Sequence, residues 1–240
     1  MAIEPFDLTG VDGVMPANQA RSREAQARLM KAGEGVFAKK GYDEAHVGDI
    51  AAAAQCSIGS FYRRFRDKEA LFRALHLQFA YRIERNMERF LSRPERAEQP
   101  VYEVLEVLVR NTAQVIERHP GFFRALFQRM LAGAGHIYVP ALWAADTASG
   151  HRLAAFLRSR REVAVEPLAV PLEEACALGL RSIEAILVQR VLRREMVSQE
   201  PFASPFVIER LTRMLAACIA VAAPPERSRP APLRKRNSDS

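Results

Sequence analysis

Arginine, serine, tyrosine and lysine crowd into one short run, S-I-G-S-F-Y-R-R-F-R-D-K, from Ser57 to Lys68. Side chains of this kind donate hydrogen bonds to anionic oxygens, and the arginine fork also matches the O6 and N7 acceptors of guanine. Within the run Ser60 and Arg64 are four apart and share a helix face, while Phe61 and Phe65 share another. Ser57 stands where an N-cap belongs, its hydroxyl able to accept a bond from a free backbone N–H one turn on. A short helix over about Ile58 to Phe65 follows. Before it, Val47, Ile50, Ala51 and Ala54 fall at helical spacing and give another short helix with one apolar face. Gln55-Cys56 interrupts the two. Two short helices joined by a tight turn form a helix-turn-helix, whose second helix can lie in the major groove.

The bulk numbers suit such a reader. The chain has 240 residues, 49% of them hydrophobic, enough for a sizeable core, and a net charge of +7 that fits a polyanion partner or simply a basic surface. Cys56, Cys176 and Cys218 are odd in number and far apart. They make neither a disulfide framework nor a zinc spacing, which favours a reducing cytoplasm. The longest apolar run, Met214 to Ala223, is too short to cross a bilayer. Met1 to Ala20 lacks the basic start and apolar core of a secretory signal. No G-x-S-x-G, no histidine pair at metal spacing and no phosphate-cradling loop occurs, so neither an enzyme nor a cofactor is expected.

G-Y-D at 41 to 43, D-I-A at 49 to 51 and S-I-G-S-F-Y-R-R-F-R-D-K-E-A-L-F at 57 to 72 resemble the signature of the tetracycline-repressor (TetR) family of transcriptional regulators. The resemblance runs from about Arg21 to Leu75, the first third of the chain. It implies a second helix with Ile58, Gly59, Ser60, Arg63 and Arg64 at or near base edges. It likewise implies phosphate contacts by Tyr62, by Lys68 at a helix N-terminus, and by His46 where the family usually has threonine. Ser57 completes the DNA-binding set. A solvated polar face is the plain alternative for each of these residues. The chain departs from the family at several points. Gln55 replaces a glycine in a turn that wants a left-handed residue, and Ala45 replaces a threonine N-cap. Gly48 falls where many members place a contacting side chain, and Ile58 replaces a frequent lysine. An ideal wheel also turns Ile58 toward Phe65, leaving it between core and a thymine-methyl contact. Cys56 takes a position that is normally a buried valine and is read as core.

The elements around this reader follow in order. Residues 1–20, with Pro5, Gly10, Gly13 and Pro16, read as a disordered arm. Residues 21–66 form the helix-turn-helix DNA-binding domain, its first helix spanning about Ser22 to Lys40 and closed by Gly41. Residues 67–223 form a helical regulatory and dimerisation domain. Its first helix starts from Asp67 as N-cap and runs to about Leu91, roughly 35 Å at 1.5 Å per residue. Further helical patterns cover Pro100 to His119, Pro120 to Ala132, Tyr138 to Arg161, Leu172 to Met196 and Ser204 to Ala222, with a break at Gly133 to His136. Residues 224–240 read as a disordered basic tail, whose Arg227, Arg229, Arg234, Lys235 and Arg236 add nonspecific DNA attraction or merely solubility. No stretch alternates as a strand does, so the class is all-α, with about nine helices.

The family encloses an effector between the middle helices, and that expectation selects Phe79, Tyr102, Phe123, Phe127, His136, Trp143, Arg181 and Glu184 as pocket residues. Trp143 and His136 lie beside the glycine-flanked break, a natural mouth. Aromatic residues at helical spacing serve a core equally well. Near the C-terminus Cys176, Leu180, Ile183, Leu187 and Val191 form one stripe, and Met214 to Ala222 is apolar all round. As in the family, a partner subunit would cover them, through Leu180, Ile183, Leu187, Val191, Leu211, Leu215, Cys218 and Ile219; burial within one subunit is the alternative. Together these readings describe a cytoplasmic homodimer that binds a palindromic operator in double-stranded DNA and is released by a small, largely apolar effector. The alternative is a helical small-molecule-binding protein with a degenerate reader, acting through protein contacts. No membrane partner is expected.

Overall fold

The computed structural model describes residues 6–160, 170–192 and 203–225. Among them the regular elements are all helical: α1 Ala20–Lys40, α2 Val47–Ala53, α3 Ile58–Tyr62, α4 Lys68–Leu91, α5 Pro94–Glu98, α6 Val101–Arg118, α7 Pro120–Arg129, α8 Gly135–Arg158, α9 Leu172–Leu192 and α10 Pro205–Cys218. Helix α5 is a single turn within the connection after α4. A π-helical segment, Met130–Ala134, joins α7 to α8, with Gly133 at φ 91° taking the kink that an L side chain resists.

Local chemistry explains the boundaries. Asp67 caps α4, accepting from the Ala70 N–H at 2.7 Å, and Glu69 sits in its first turn, where the helix dipole favours a carboxylate. Ser57 caps α3 through the Ser60 N–H at 3.1 Å. Gly41 ends α1 at φ 76°. Helix α2 begins one residue later than the sequence suggests: His46, not Ala45, is the N-cap, and Ala45 is fully buried. The missing hydroxyl is replaced by Asp49, whose Oδ2 accepts from the His46 N–H at 3.2 Å and pairs with Lys40 Nζ at 2.8 Å. Gln55 has φ 53°, the left-handed turn conformation expected at that position.

Two apolar clusters fill the molecule. One joins α1, α2, α3 and the first half of α4 to Phe122, Ala125 and Leu126 of α7 and Tyr138 of α8. The other gathers the end of α4 with α6, α8, α9 and α10. Phe79 packs against both. The reader's core is therefore completed by α7, which lies so close to α1 that a Cβ on Gly121 would meet the Ala38 carbonyl oxygen at 1.7 Å.

The N-terminal segment departs from expectation. Residues 6–19 are not a loose arm but are tied down along the α3–α4 turn. Val14 bridges Phe65, the Arg66 N–H donates to Gly13 O at 2.8 Å, and the Met15 N–H donates to Arg64 O at 2.8 Å. Asp12 meets Arg73 at 2.7 Å and Arg66 at 3.1 Å, and these guanidinium partners hold its carboxyl below the usual range. Helix α10 ends at Cys218 rather than Ala222, with Ala220 at φ 53°. The basic tail from residue 226, the end of the Leu172 to Met196 pattern and most of the 165–171 loop lie outside the described residues.

Candidate nucleic-acid interface and ligand cavity

Helix α3 presents two faces of opposite character. Phe61 and Phe65 are fully buried, whereas Ile58 is 52% and Tyr62 53% exposed. Ser57, Gly59 and Arg63 are exposed beside them, and His46 is exposed at the start of α2. Ile58 is thus on the outer face, not in the core. A Cβ on Gly59 would meet only Ser57 Oγ, at 3.8 Å, so the surface there is open to the approach of a backbone. Cys56 is half-buried against the reader's core.

Two of the expected contacts are spent inside the protein. Arg64 donates from Nε to Ser22 O at 3.3 Å and from Nη1 to Arg63 O at 3.2 Å, which ties the reader to the start of α1. Lys68 Nζ donates to the carbonyls of Tyr42, Asp43 and Ala45 at 2.9, 3.2 and 3.2 Å. It also sits 4.5 Å above the Tyr42 ring. All three ammonium donors are used, so Lys68 offers a phosphate only its backbone N–H at the α4 N-terminus. Ser60 and Arg64 are half-buried, Arg63 is exposed, and Arg21 and Arg23 extend the basic surface from α1.

Behind the reader, Glu69 gathers three partners from three elements. The hydroxyls of Tyr42, from the α1–α2 connection, and Tyr138, from α8, both donate to it. Arg129, at the end of α7, pairs with it at 2.9 Å. Burial and then the Glu69 bond push both tyrosine pKa values up. Alongside, His76 is fully buried, with no partner at either ring nitrogen and its ring edge-on to Tyr138 at 5.0 Å. Burial pushes its pKa down to about 4, so it is neutral. From here ring contacts run without a gap. Tyr42 meets Phe72 at 5.3 Å, Phe72 meets Phe122 at 5.6 Å, and Phe122 meets Phe79 at 5.3 Å and Phe123 at 5.9 Å.

Phe79 and Phe123 open onto a cavity of about 440 Å³ between α4, α6, α8 and α9. Phe90, Leu108 and Ile183 add apolar wall; Arg93 and Arg118 line it from exposed positions. Its polar lining combines Asn86 and Arg89 of α4 and Asn111, Thr112 and Gln114 of α6 with Asp146 and Ser149 of α8 and Glu184 of α9. Burial raises the Asp146 pKa to about 6, with Arg181 pulling it back. Burial and then Asp146 raise Glu184 to about 7.

Of the pocket residues expected from sequence, the structure brings Phe79, Phe123 and Glu184 to this cavity. Trp143 and Arg181 line a shallower hollow with Leu178, the guanidinium 4.4 Å from the indole ring. Trp143 is 58% exposed, so it shapes a surface and not a pocket wall. His136 is exposed too, near Gly133 O at 3.2 Å, because the π-helical segment swings it outward. Tyr102 packs against the C-terminal core cluster, and Phe127 is half-buried away from the cavity. Asp146 and Ser149 escaped the sequence reading. Their only signal was a polar pair three apart in an alanine- and glycine-rich helix.

The expected dimer stripe also needs correcting. Ile183, Leu187, Val191, Leu211, Leu215 and Ile219 are buried in the subunit's own core, with Leu180 and Cys218 packed against it. Helices α9 and α10 pack on α6 and α8, and that packing uses the stripe. The apolar residues left facing outward are Leu178, at 54% exposure, Ile186, at 40%, and Phe206, at 41%.

Comparison with known proteins matches these features. The sequence model of the bacterial regulatory proteins, tetR family, matches residues 29–75. No curated protein matches the chain. Among solved structures, a TetR-family transcriptional regulator from Mesorhizobium loti MAFF303099 superposes with a TM-score of 0.62 at 18% identity, over 84% of this chain and 98% of that one. A tetR-family regulator from Streptomyces coelicolor gives 0.63 at 19% identity, over 82% and 80%. Thermus thermophilus FadR, a TetR-family transcriptional repressor solved with lauroyl-CoA, gives 0.54 at 23% identity, over 84% and 98%. At these identities the likeness shows a shared fold. The chain carries the N-terminal helix-turn-helix domain of the tetR family of bacterial regulatory proteins, on the all-helical fold of TetR-family transcriptional regulators.

Proposed function

We propose that the chain is a cytoplasmic, homodimeric transcriptional repressor that binds a near-palindromic operator and leaves it when a small effector fills the cavity between α4, α6, α8 and α9. The observation that carries this reading is one continuous helix, α4, with the reader at its start and the cavity along its second half. Its 24 residues span about 36 Å at 1.5 Å per residue. The outward face of α3 supplies the DNA contacts, with Ile58, Gly59 and Arg63 toward base edges and Ser57, Tyr62 and His46 toward phosphate. Arg64 acts by fixing the reader on α1, and Lys68 by closing the α1–α2 connection.

Two copies would meet through the outer faces of α9 and α10, around Leu178, Ile186 and Phe206. That pairing sets two reader helices about one DNA turn apart, roughly 34–36 Å. The effector favours a state in which the readers are mis-spaced, and α4 is the lever. The Glu69 junction and the aromatic run from Tyr42 to Phe123 are contiguous matter between the two sites. The lauroyl-CoA held by the Thermus protein supports a largely apolar effector here.

The coupling is reciprocal, so operator DNA must weaken effector binding by the factor by which effector weakens DNA binding. A gel-shift with the purified chain on the DNA flanking its own gene tests the reading. A band that shrinks on adding effector supports it. No band at low salt leaves a ligand-binding protein with a degenerate reader.

A further inference from the structure

We propose that the effector of this cavity is an apolar molecule bearing a basic amine, its ammonium group received by Asp146, Glu184 and Ser149. The inference rests on the ligand-responsive reading above and names the chemistry of its ligand. Asp146 and Ser149 are three apart on α8 and share the face turned to the cavity, while Glu184 arrives from α9. Helices α8 and α9 are pressed together there: a Cβ on Gly150 would lie 2.7 Å from the Ala177 backbone nitrogen.

Asp146 is only 8% exposed and Ser149 only 2%, while Glu184 is half-buried. Among the described residues no hydrogen bond or ion pair reaches Asp146 or Glu184, and Ser149 Oγ has no partner. Buried carboxylates normally sit with a cation or with several donors. Here Arg181 is engaged over the Trp143 ring and acts on Asp146 only through its field. Of the cavity arginines, Arg93 and Arg118 lie at exposed positions, where water weakens them, and the half-buried Arg89 forms no ion pair with Asp146 or Glu184 among the described residues. Asp146, Ser149 and Glu184 therefore bring acceptors to one wall of the cavity, and none of the other lining groups, Asn86, Asn111 and Gln114 included, forms a hydrogen bond with them among the described residues. A primary ammonium carries three N–H donors and one positive charge, and the phenylalanine walls take the apolar remainder. An acyl carboxylate placed there would face two like charges.

The test is calorimetric titration of the full-length protein at pH 8 with three probes of equal chain length: decylamine, decanol and decanoate. Decylamine should bind at least tenfold tighter than decanol, and decanoate weakest. The protein's net charge of +7 would by itself favour decanoate, so the order is informative. In the D146N/E184Q double variant the amine-to-alcohol ratio should fall to threefold or less, with D146N alone between. Cooperative melting of each variant checks that it is folded. Decanol or decanoate binding as tightly as decylamine overturns the proposal. So does a ratio that survives in the double variant, or no binding by any probe. Gel-shifts on the same preparations separate the two readings. Retained DNA binding with no amine preference sinks only the cation site. A carboxylate-dependent amine preference without DNA binding supports the site and sinks the regulator.

Discussion

At the scale of single residues, two buried sites give this protein opposite responses to pH. His76 has a folded pKa pushed from 6.5 down to about 4 by burial. Its neutral form is the one the fold accepts, so its contribution is present above pH 6.5 and lost as pH falls toward 4. Asp146 and Glu184 are shifted upward, to about 6 and about 7, facing each other, Arg181 and the cavity arginines Arg89, Arg93 and Arg118. Their contribution is present at low pH and is lost as pH rises through 6 to 7. His76→Leu should therefore flatten the acid limb of a Tm-against-pH curve. Asp146→Asn should raise stability at pH 8 by about 1–3 kcal/mol and do little at pH 4. A variant curve parallel to wild type would contradict either assignment. On the DNA side, Arg63→Ala should cost about 1–3 kcal/mol on operator and much less on random duplex. Arg64→Ala should weaken both equally, because it loosens α3 from α1. The sequence placed both arginines on the reader, but only coordinates reveal which guanidinium is held by carbonyls. A chain of letters shows that a donor exists, not that an acceptor forty residues away has already taken it.

At the scale of elements, the caps were legible because they are local. Ser57, Asp67 and Gly41 act on backbone groups within a turn of themselves, and the structure has them where their types suggest. The N-terminal segment was not legible. Its glycines and prolines read as slack, yet Asp12, Gly13 and Val14 are held by partners more than fifty residues on. Nor did helical periodicity say that α7 belongs to the reader's core. Gly121→Ala tests that contact: with the Ala38 carbonyl where a Cβ must go, α7 has to lift from α1. Denaturant unfolding should show a loss of at least about 2–3 kcal/mol. Glu69→Gln tests the junction. It removes the charge that Arg129 pairs with and leaves one amide oxygen where two carboxylate oxygens accept from the tyrosines. The effector-induced drop in DNA affinity should shrink by about 0.5–2 kcal/mol, with DNA affinity in the absence of effector changing less. An unchanged drop would mean that the coupling runs elsewhere along α4.

At the scale of the whole molecule, composition and one motif carried the fold class, since a long apolar pattern of period 3.6 admits little else than stacked helices. The same pattern could not assign the C-terminal stripe. An apolar face covered by its own subunit and one covered by a partner have identical periodicity, and here Leu187, Leu215 and Ile219 are fully buried before any partner arrives. What remains outside on α9 is Leu178 and Ile186. Leu178→Glu with Ile186→Glu should convert a dimer to monomers in sedimentation at micromolar concentration, with helicity retained. Two matched readers at fixed spacing are the core of the proposed mechanism, and selection of duplexes from a random DNA pool by the purified full-length chain probes them together. The selected pool should be enriched in two inverted half-sites whose centres lie about one helical turn apart, an enrichment lost with Arg63→Ala. Recovery of unenriched DNA, or of a single half-site without symmetry, would contradict it.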